Sequence, residues 1–213
     1  MNKRHLFLFG GGPPFTTILG KKFAELSSTK TRKVAILFIE TLDSEKYLPI
    51  YTSVLKHHDL NNFVFLPLSL TPSKSNTEEL NTCSGIVIGG GDTELYQKYL
   101  MESSIGHHVK KLYNEGIPVA GFSAGALVSL KNCVVQTTNK QLFLEGLGLL
   151  NECLIQVHFS SSTDEDSLKS VLIKTNSPIS YGICEESGIY FENEKLSLTE
   201  GTIHPFELNY HEN

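Results

Sequence analysis

Several things are scarce in this 213-residue chain, and each scarcity removes a class of function. There are four cysteines, Cys83, Cys133, Cys153 and Cys184, and no two stand in C-x-x-C spacing. That argues against a zinc knuckle or a thioredoxin-type redox pair, and no cluster of metal-ligand spacing occurs elsewhere. In a chain of this size the cysteines read as reduced thiols of a cytoplasmic protein. Arginine occurs twice, at Arg4 and Arg32, and the net charge is −5. No basic stripe is available to hold a phosphate backbone or an anionic membrane surface, so nucleic acid is not an expected partner. No apolar run approaches the ~20 residues of a membrane span. The opening "MNKRHLFLFGGG" has a basic start, but its "LFLF" run is about half the shortest signal-peptide core.

What remains is ordinary globular material, 40% hydrophobic and 19% charged. Short runs of consecutive apolar residues recur: "HLFLFGGG" (5–12), "KVAILFIE" (33–40), "NNFVFLPLSL" (61–70), "SGIVIGGG" (84–91) and "IPVAGF" (117–122). Strands that are apolar at every position are buried on both faces, which indicates a parallel sheet covered by helices. Between them, "EKYLPIYTSVLKHHDL" can place Tyr47, Ile50, Tyr51, Val54 and Leu55 on one helical face, with Pro49 near its start. The fold class is therefore α/β, doubly wound. The last third differs: "LGLLNECLIQVHF", "SYGICEESGIYFENEKLSLTEG" and "TIHPFELNY" read as strands and hairpins, with "ENEKLSL" a hairpin turn and helix confined to "DEDSLKSVLIK". No repeat, low-complexity segment or linker divides residues 1–213, which are expected to form one domain.

In a doubly wound sheet, ligands sit at the carboxyl ends of the strands. "VAGFSAGALVSL" puts Ser123 at such an end, between a strand and a helix. Glycines at 121 and 125 permit a sharp elbow that exposes a serine oxygen, with following N–H groups able to stabilise an oxyanion. The stretch alone leaves two readings open, a nucleophile or an ordinary helix N-cap. "IVIGGGDTELYQKYL" is a second glycine turn, either an anion cradle, a donor of one backbone N–H to the same site, or a turn capped by Asp92. It lacks the lysine of a P-loop and the spacing of a dinucleotide fingerprint. "FGGGPP" (9–14) should lie on the same face. Among eight histidines, His158 ends the apolar run "LIQV" before a polar loop and suits a general base, with His204 in "TIHPF" its rival. Glu185 and Glu186 fall inside an apolar run that reads as a strand, where a buried carboxylate needs a partner unless a strand end or bulge lets both reach water.

Together these pieces resemble the peptidase E and cyanophycinase family of serine peptidases, which share the class I glutamine amidotransferase-like, flavodoxin-like fold. The matching stretches are "IGGGDT" (88–93), "GFSAGA" (121–126), "QTTN" (136–139), "LIQVHF" (154–159) and "GICEESGI" (182–189), in the family's order. The resemblance implies Ser123 as nucleophile, His158 as general base and Glu185 as the acidic third member. It implies an oxyanion hole from the N–H groups of Gly91 and Ala124. The implied order Ser, His, Glu favours His158 over His204, which follows the acid. A serine where a glutamine amidotransferase carries cysteine argues against glutaminase activity.

The expected function is a cytoplasmic serine exopeptidase or dipeptidase acting on small peptides, as a monomer or homodimer, without cofactor or metal. The alternatives are an esterase or amidase on the same triad, a non-catalytic binding or sensor protein, and, more weakly, a glycine-loop nucleotide binder. Family members cleave aspartyl dipeptides or an aspartate–arginine polymer. Here Lys140 stands at an acidic position of the family, and "SSSTDEDSLKSVL" carries no arginine. Asp92 and Lys140 are the candidate substrate contacts, and aspartyl specificity is the less secure part of the resemblance.

Overall fold

The structure is a computed structural model and describes residues 2–29, 31–136, 141–160 and 162–208. Its elements run β1 (His5–Phe9), α1 (Thr17–Ser27), β2 (Lys33–Phe38), α2 (Ser44–Lys56), β3 (Asn62–Pro67), α3 (Lys74–Asn81), β4 (Gly85–Ile88), α4 (Thr93–Glu102), α5 (Ser104–Asn114), β5 (Val119–Phe122) and α6 (Ala124–Ser129). They continue with β6 (Asn132–Gln136), β7 (Gln141–Glu145), β8 (Cys153–Gln156), α7 (Ser162–Thr175), β9 (Ile179–Ile183), β10 (Gly188–Glu192), β11 (Lys195–Glu200) and β12 (Ile203–Glu207).

A seven-stranded sheet has the order β11-β10-β1-β5-β4-β2-β3. β1, β5, β4, β2 and β3 are mutually parallel, while β10 and β11 continue the sheet antiparallel. β1, β2, β4 and β5 are apolar because both their faces are covered. β3, expected to be buried in the same way, is an edge strand with Phe65 40% exposed, and the other edge, β11, is mostly exposed. Phe7, Phe9, Val34, Ile36 and Phe122 pack under α1 and α2 with Leu19, Phe23 and Leu55. Leu6, Leu8, Ala35, Leu37, Ile86 and Ile88 pack under α4 and α5 with Tyr96, Leu100, Val109 and Leu112. This is the doubly wound α/β arrangement expected of continuous apolar runs. β8, β9 and β12 form a separate three-stranded sheet, and β6 pairs with β7.

The hairpin expected at "ENEKLSL" is present. Glu192 pairs with Lys195 around Asn193 and Glu194, whose φ values are 51° and 64°. Positive φ at both turn residues matches the right-handed twist of the strands.

Four details differ from the sequence reading. "YGICEESGIYF" is not one strand, because β9 ends at Ile183 and β10 begins at Gly188 in a different sheet. Glu185 and Glu186 lie in the connecting turn and are exposed, so no carboxylate is buried there. Helices α3 and α5 are present where the sequence was read without them. α3 buries a single leucine, Leu80, and α5 is divided from α4 only by Ser103. Pro49 lies inside α2 rather than near its start, and Tyr47 and Ile50 on the expected core face are 57% and 36% exposed.

α1 is capped from far along the chain. Thr16 makes no side-chain cap, and Glu200 of β11 instead accepts the N–H groups of Ile18 and Leu19 at 2.9 Å. A carboxylate satisfies two orphan donors there and complements the positive end of the helix.

Candidate active site

Three parallel strands deliver their carboxyl ends to one place. β1 leads into Gly10–Gly12, β4 into Gly89–Gly91, and β5 into Ser123. Ser123 has φ 48° and ψ −108°, a conformation that non-glycine residues rarely hold without support from their surroundings. The support is packing and backbone bonding. The Ser123 N–H donates to Phe9 O at 3.0 Å, and its carbonyl accepts the N–H groups of Ala126 and Leu127 at 3.0 Å each. A Cβ at Gly121 would overlap the carbonyl of Gly125, and one at Gly125 would overlap the carbonyl of Ile88. The two glycines are therefore required by close backbone approach. Ser123 occupies the N-cap position of α6 but makes no side-chain cap. Its Oγ lies 2.7 Å from His158 Nε2 instead.

His158 also has positive φ, at 52°. Its N–H donates to Gly10 O at 2.8 Å, so the turn after β1 sets where the imidazole points. The other ring nitrogen, Nδ1, bonds to Glu185 Oε1. With the Nδ1 proton directed at the carboxylate, Nε2 is free to accept from the serine hydroxyl. Glu185 reaches the ring across Gly11, where a Cβ would overlap its Oε2. Gly10 is equally constrained, since a Cβ there would overlap the carbonyls of Ile183 and Cys184. The expectation that "FGGGPP" shares the face of Ser123 is thus met through direct contacts. His204 does not make the serine contact; its ring packs at a tilt against Phe159 with centroids 4.9 Å apart.

The β4 turn closes the other side. The Gly90 peptide is held at both ends, its N–H donating to Tyr51 Oη at 2.8 Å and its carbonyl accepting from Tyr96 Oη at 3.3 Å. Burial pushes both phenols up, so both stay neutral hydrogen-bonding groups near neutral pH. Gly91 follows with φ 145°, a backbone conformation open to glycine alone. Among the described residues, no protein acceptor takes the N–H of Gly91 or of Ala124, the first residue of α6. The sequence points to Tyr51 only as part of the apolar face of α2, and to Tyr96 not at all. The available signal was chemical, since a buried tyrosine hydroxyl needs a partner.

Asp92 caps α4, with Oδ1 accepting from Leu95 N–H at 3.0 Å, and it also lines the cavity beside Ser123. Lys140 and most of the "QTTN" stretch lie outside the described residues. The cavity measures about 550 Å³ and includes Ser123, His158, Gly90 and Gly91 in its wall. Among the described residues there is no group of three or more metal-ligating side chains, and no helix is long and apolar enough to cross a membrane.

Comparison with known proteins bears on the family and the fold. The family model described as Peptidase family S51 matches residues 6–199. The Bacillus subtilis protein named uncharacterized peptidase YgaJ is 24% identical over 181 residues, covering 82% of this chain and 76% of that protein. The pyridoxal 5'-phosphate synthase subunit PdxT of Pyrococcus abyssi is 32% identical over 97 residues, 44% of this chain, and this chain spans only 49% of that protein. Among solved structures, a peptidase from an acI-B1 Actinobacterium superposes with a TM-score of 0.73 at 18% identity, covering 98% of this chain and 95% of that one. A putative peptidase E protein from Listeria monocytogenes gives 0.65 at 16% identity, covering 93% and 98%. At these identities the superpositions speak to the fold, which is the shared α/β architecture.

Proposed function

The chain belongs to peptidase family S51, a family of serine peptidases, and from that premise we propose that it is an exopeptidase or dipeptidase that hydrolyses small peptides through an acyl-enzyme on Ser123. The observation that carries the proposal is the continuous hydrogen-bonded path from Ser123 Oγ through His158 to Glu185.

A serine hydroxyl is a weak nucleophile at neutral pH. In the proposed reaction His158 Nε2 takes its proton as Oγ attacks the amide carbonyl carbon. The carbonyl oxygen becomes an oxyanion facing the N–H groups of Gly91 and Ala124. The C–N bond then breaks, the imidazolium returns the proton to the departing amine, and water hydrolyses the ester by the same path. Glu185 holds the Nδ1–H tautomer and stabilises the imidazolium. Tyr51 and Tyr96 position the Gly90 peptide, and so the Gly91 N–H. Every step uses groups of this chain. A cavity of about 550 Å³ suits a di- or tripeptide better than a folded protein. Four unpaired cysteines suit a reducing compartment, so the enzyme is proposed to be cytoplasmic.

The test is hydrolysis of a dipeptide panel by the parent and by Ser123→Ala. The parent is expected to release free amino acids, and the variant to lose at least about 10⁴-fold in kcat. Equal cleavage by both proteins would sink the proposal, and a folded parent that cleaves nothing would favour a binding protein.

A further inference from the structure

The cavity beside Ser123 has a chemical character that the path from serine to glutamate does not require. Phe38 and Ile39 at the end of β2, Tyr47 and Leu48 of α2, and Leu95 of α4 line it together with Pro13. Among the described residues, no lysine or arginine does so. The two arginines are engaged elsewhere, Arg4 with Glu194 at 2.8 Å and Arg32 with the carbonyl of Asp59 at 2.9 Å. Among the described residues, the one carboxylate in the wall is that of Asp92, which would repel an acidic ligand. An acidic side chain placed here would lose hydration, and among the described residues no cation in the wall offsets that loss. Apolar surface also continues to the rim. Of the lining residues, Tyr47 is 57% exposed and Leu95 is 37% exposed. Folding leaves this surface uncovered, and a ligand can cover it.

We propose that this cavity is the acyl-side subsite and that it takes a large apolar residue, aromatic or leucine-like, at the position whose carbonyl Ser123 attacks. The proposal rests on the reading of Ser123 as nucleophile. Gly91 and Ser123 both stand in the cavity wall, so the attacked carbonyl lies at the wall, and the side chain on the same residue is within reach of the apolar lining. An aspartyl residue, the substrate expected from family resemblance, is disfavoured by the same lining.

The experiment is calorimetric titration of Ser123→Ala with Phe-Ala, Leu-Ala, Asp-Ala and Ala-Phe, which reads the subsite without turnover. Phe-Ala and Leu-Ala are expected to bind at least about tenfold tighter than Asp-Ala, the scale on which apolar pockets discriminate. Phe-Ala is also expected to bind more tightly than Ala-Phe. Adding Leu95→Arg supplies a cation at the wall, and the preference for Phe-Ala over Asp-Ala should fall at least about tenfold. Asp-Ala binding as tightly as Phe-Ala, Ala-Phe binding more tightly than Phe-Ala, or no dipeptide binding at all would overturn the proposal. Fluorophosphonate labelling of the parent, read separately, reports on the nucleophile. Labelled Ser123 with an Asp-Ala preference overturns only the subsite, and tight Phe-Ala binding with no labelling overturns only the nucleophile.

Discussion

Ser123 and His158 both hold positive φ, at 48° and 52°, yet the molecule enforces the two conformations differently. Ser123 follows β5, a strand between β1 and β4 that is buried along its length. Its elbow is locked by backbone packed against backbone at Gly121 and Gly125. His158 and Glu185 come from the C-terminal third, and their side chains are 49% and 62% exposed. Little core packing fixes them. They are tied to the central sheet through the turn after β1, where Gly10 O accepts the His158 N–H and Gly10 N–H donates to Ser187 O at 3.0 Å. One half of the site is held by the core, and the other by a two-glycine joint. Damage to the first should therefore appear as instability, and damage to the second as lost activity.

The largest expected effects come from cutting the path itself. His158→Ala should lower kcat about 10⁴–10⁶-fold, and Glu185→Gln about 10²–10⁴-fold, because in the proposed reaction the acid orients the imidazole but does not take the proton. Steady-state kinetics on a cleaved dipeptide checks the order, and a larger loss in Glu185→Gln than in His158→Ala would break it.

Glycine substitutions sharpen the comparison. Gly121→Ala forces a methyl group into backbone and should cost about 3 kcal/mol or more in urea unfolding. Gly11→Ala meets the Glu185 carboxylate, which can swing toward solvent. It should keep stability within about 1 kcal/mol while kcat falls tenfold or more. Matching losses of stability in both variants would contradict the division between the two halves.

The smallest effect lies at the cap of α1. Burial pushes the Glu200 carboxyl up, but hydrogen bonds from Thr16, Leu19, Ile18 and Thr17 outweigh it and hold the group below its ordinary 4.5. A depressed carboxyl stabilises the fold above its unfolded pKa, and that stability is lost as pH falls through the folded value. Glu200→Gln should therefore cost about 0.5–1 kcal/mol at pH 7 and progressively less below pH 4.5. Chemical denaturation at pH 7 and pH 4 checks the sign.

These differences also explain what could be read in the sequence. Parallel strands declare themselves because burial on both faces leaves "VAILF" and "GIVI" apolar at every position. Ser123 is legible because its elbow requires glycine on both sides. His158 is a candidate because it ends an apolar run, and the family order of Ser, His and Glu is what sets it above His204. Glu185 is found by its place in the motif, and the reason first given, a carboxylate within a strand, does not hold, because β9 and β10 belong to different sheets. An unbroken apolar run does not record where the chain changes sheet. The Tyr51–Gly90–Tyr96 contacts join residues far apart in the chain and have no local pattern. The face of α2 reads as core-facing because its period records apolar residues, and Tyr47 shows that part of that face borders a cavity.

The most direct test of the account is fluorophosphonate labelling of the native protein, mapped by peptide mass, beside Ser123→Ala and His158→Ala. The account predicts one adduct, on Ser123, absent from Ser123→Ala and formed at least about 10²-fold more slowly in His158→Ala. An adduct elsewhere, none on the folded parent, or an equal rate in His158→Ala would contradict it.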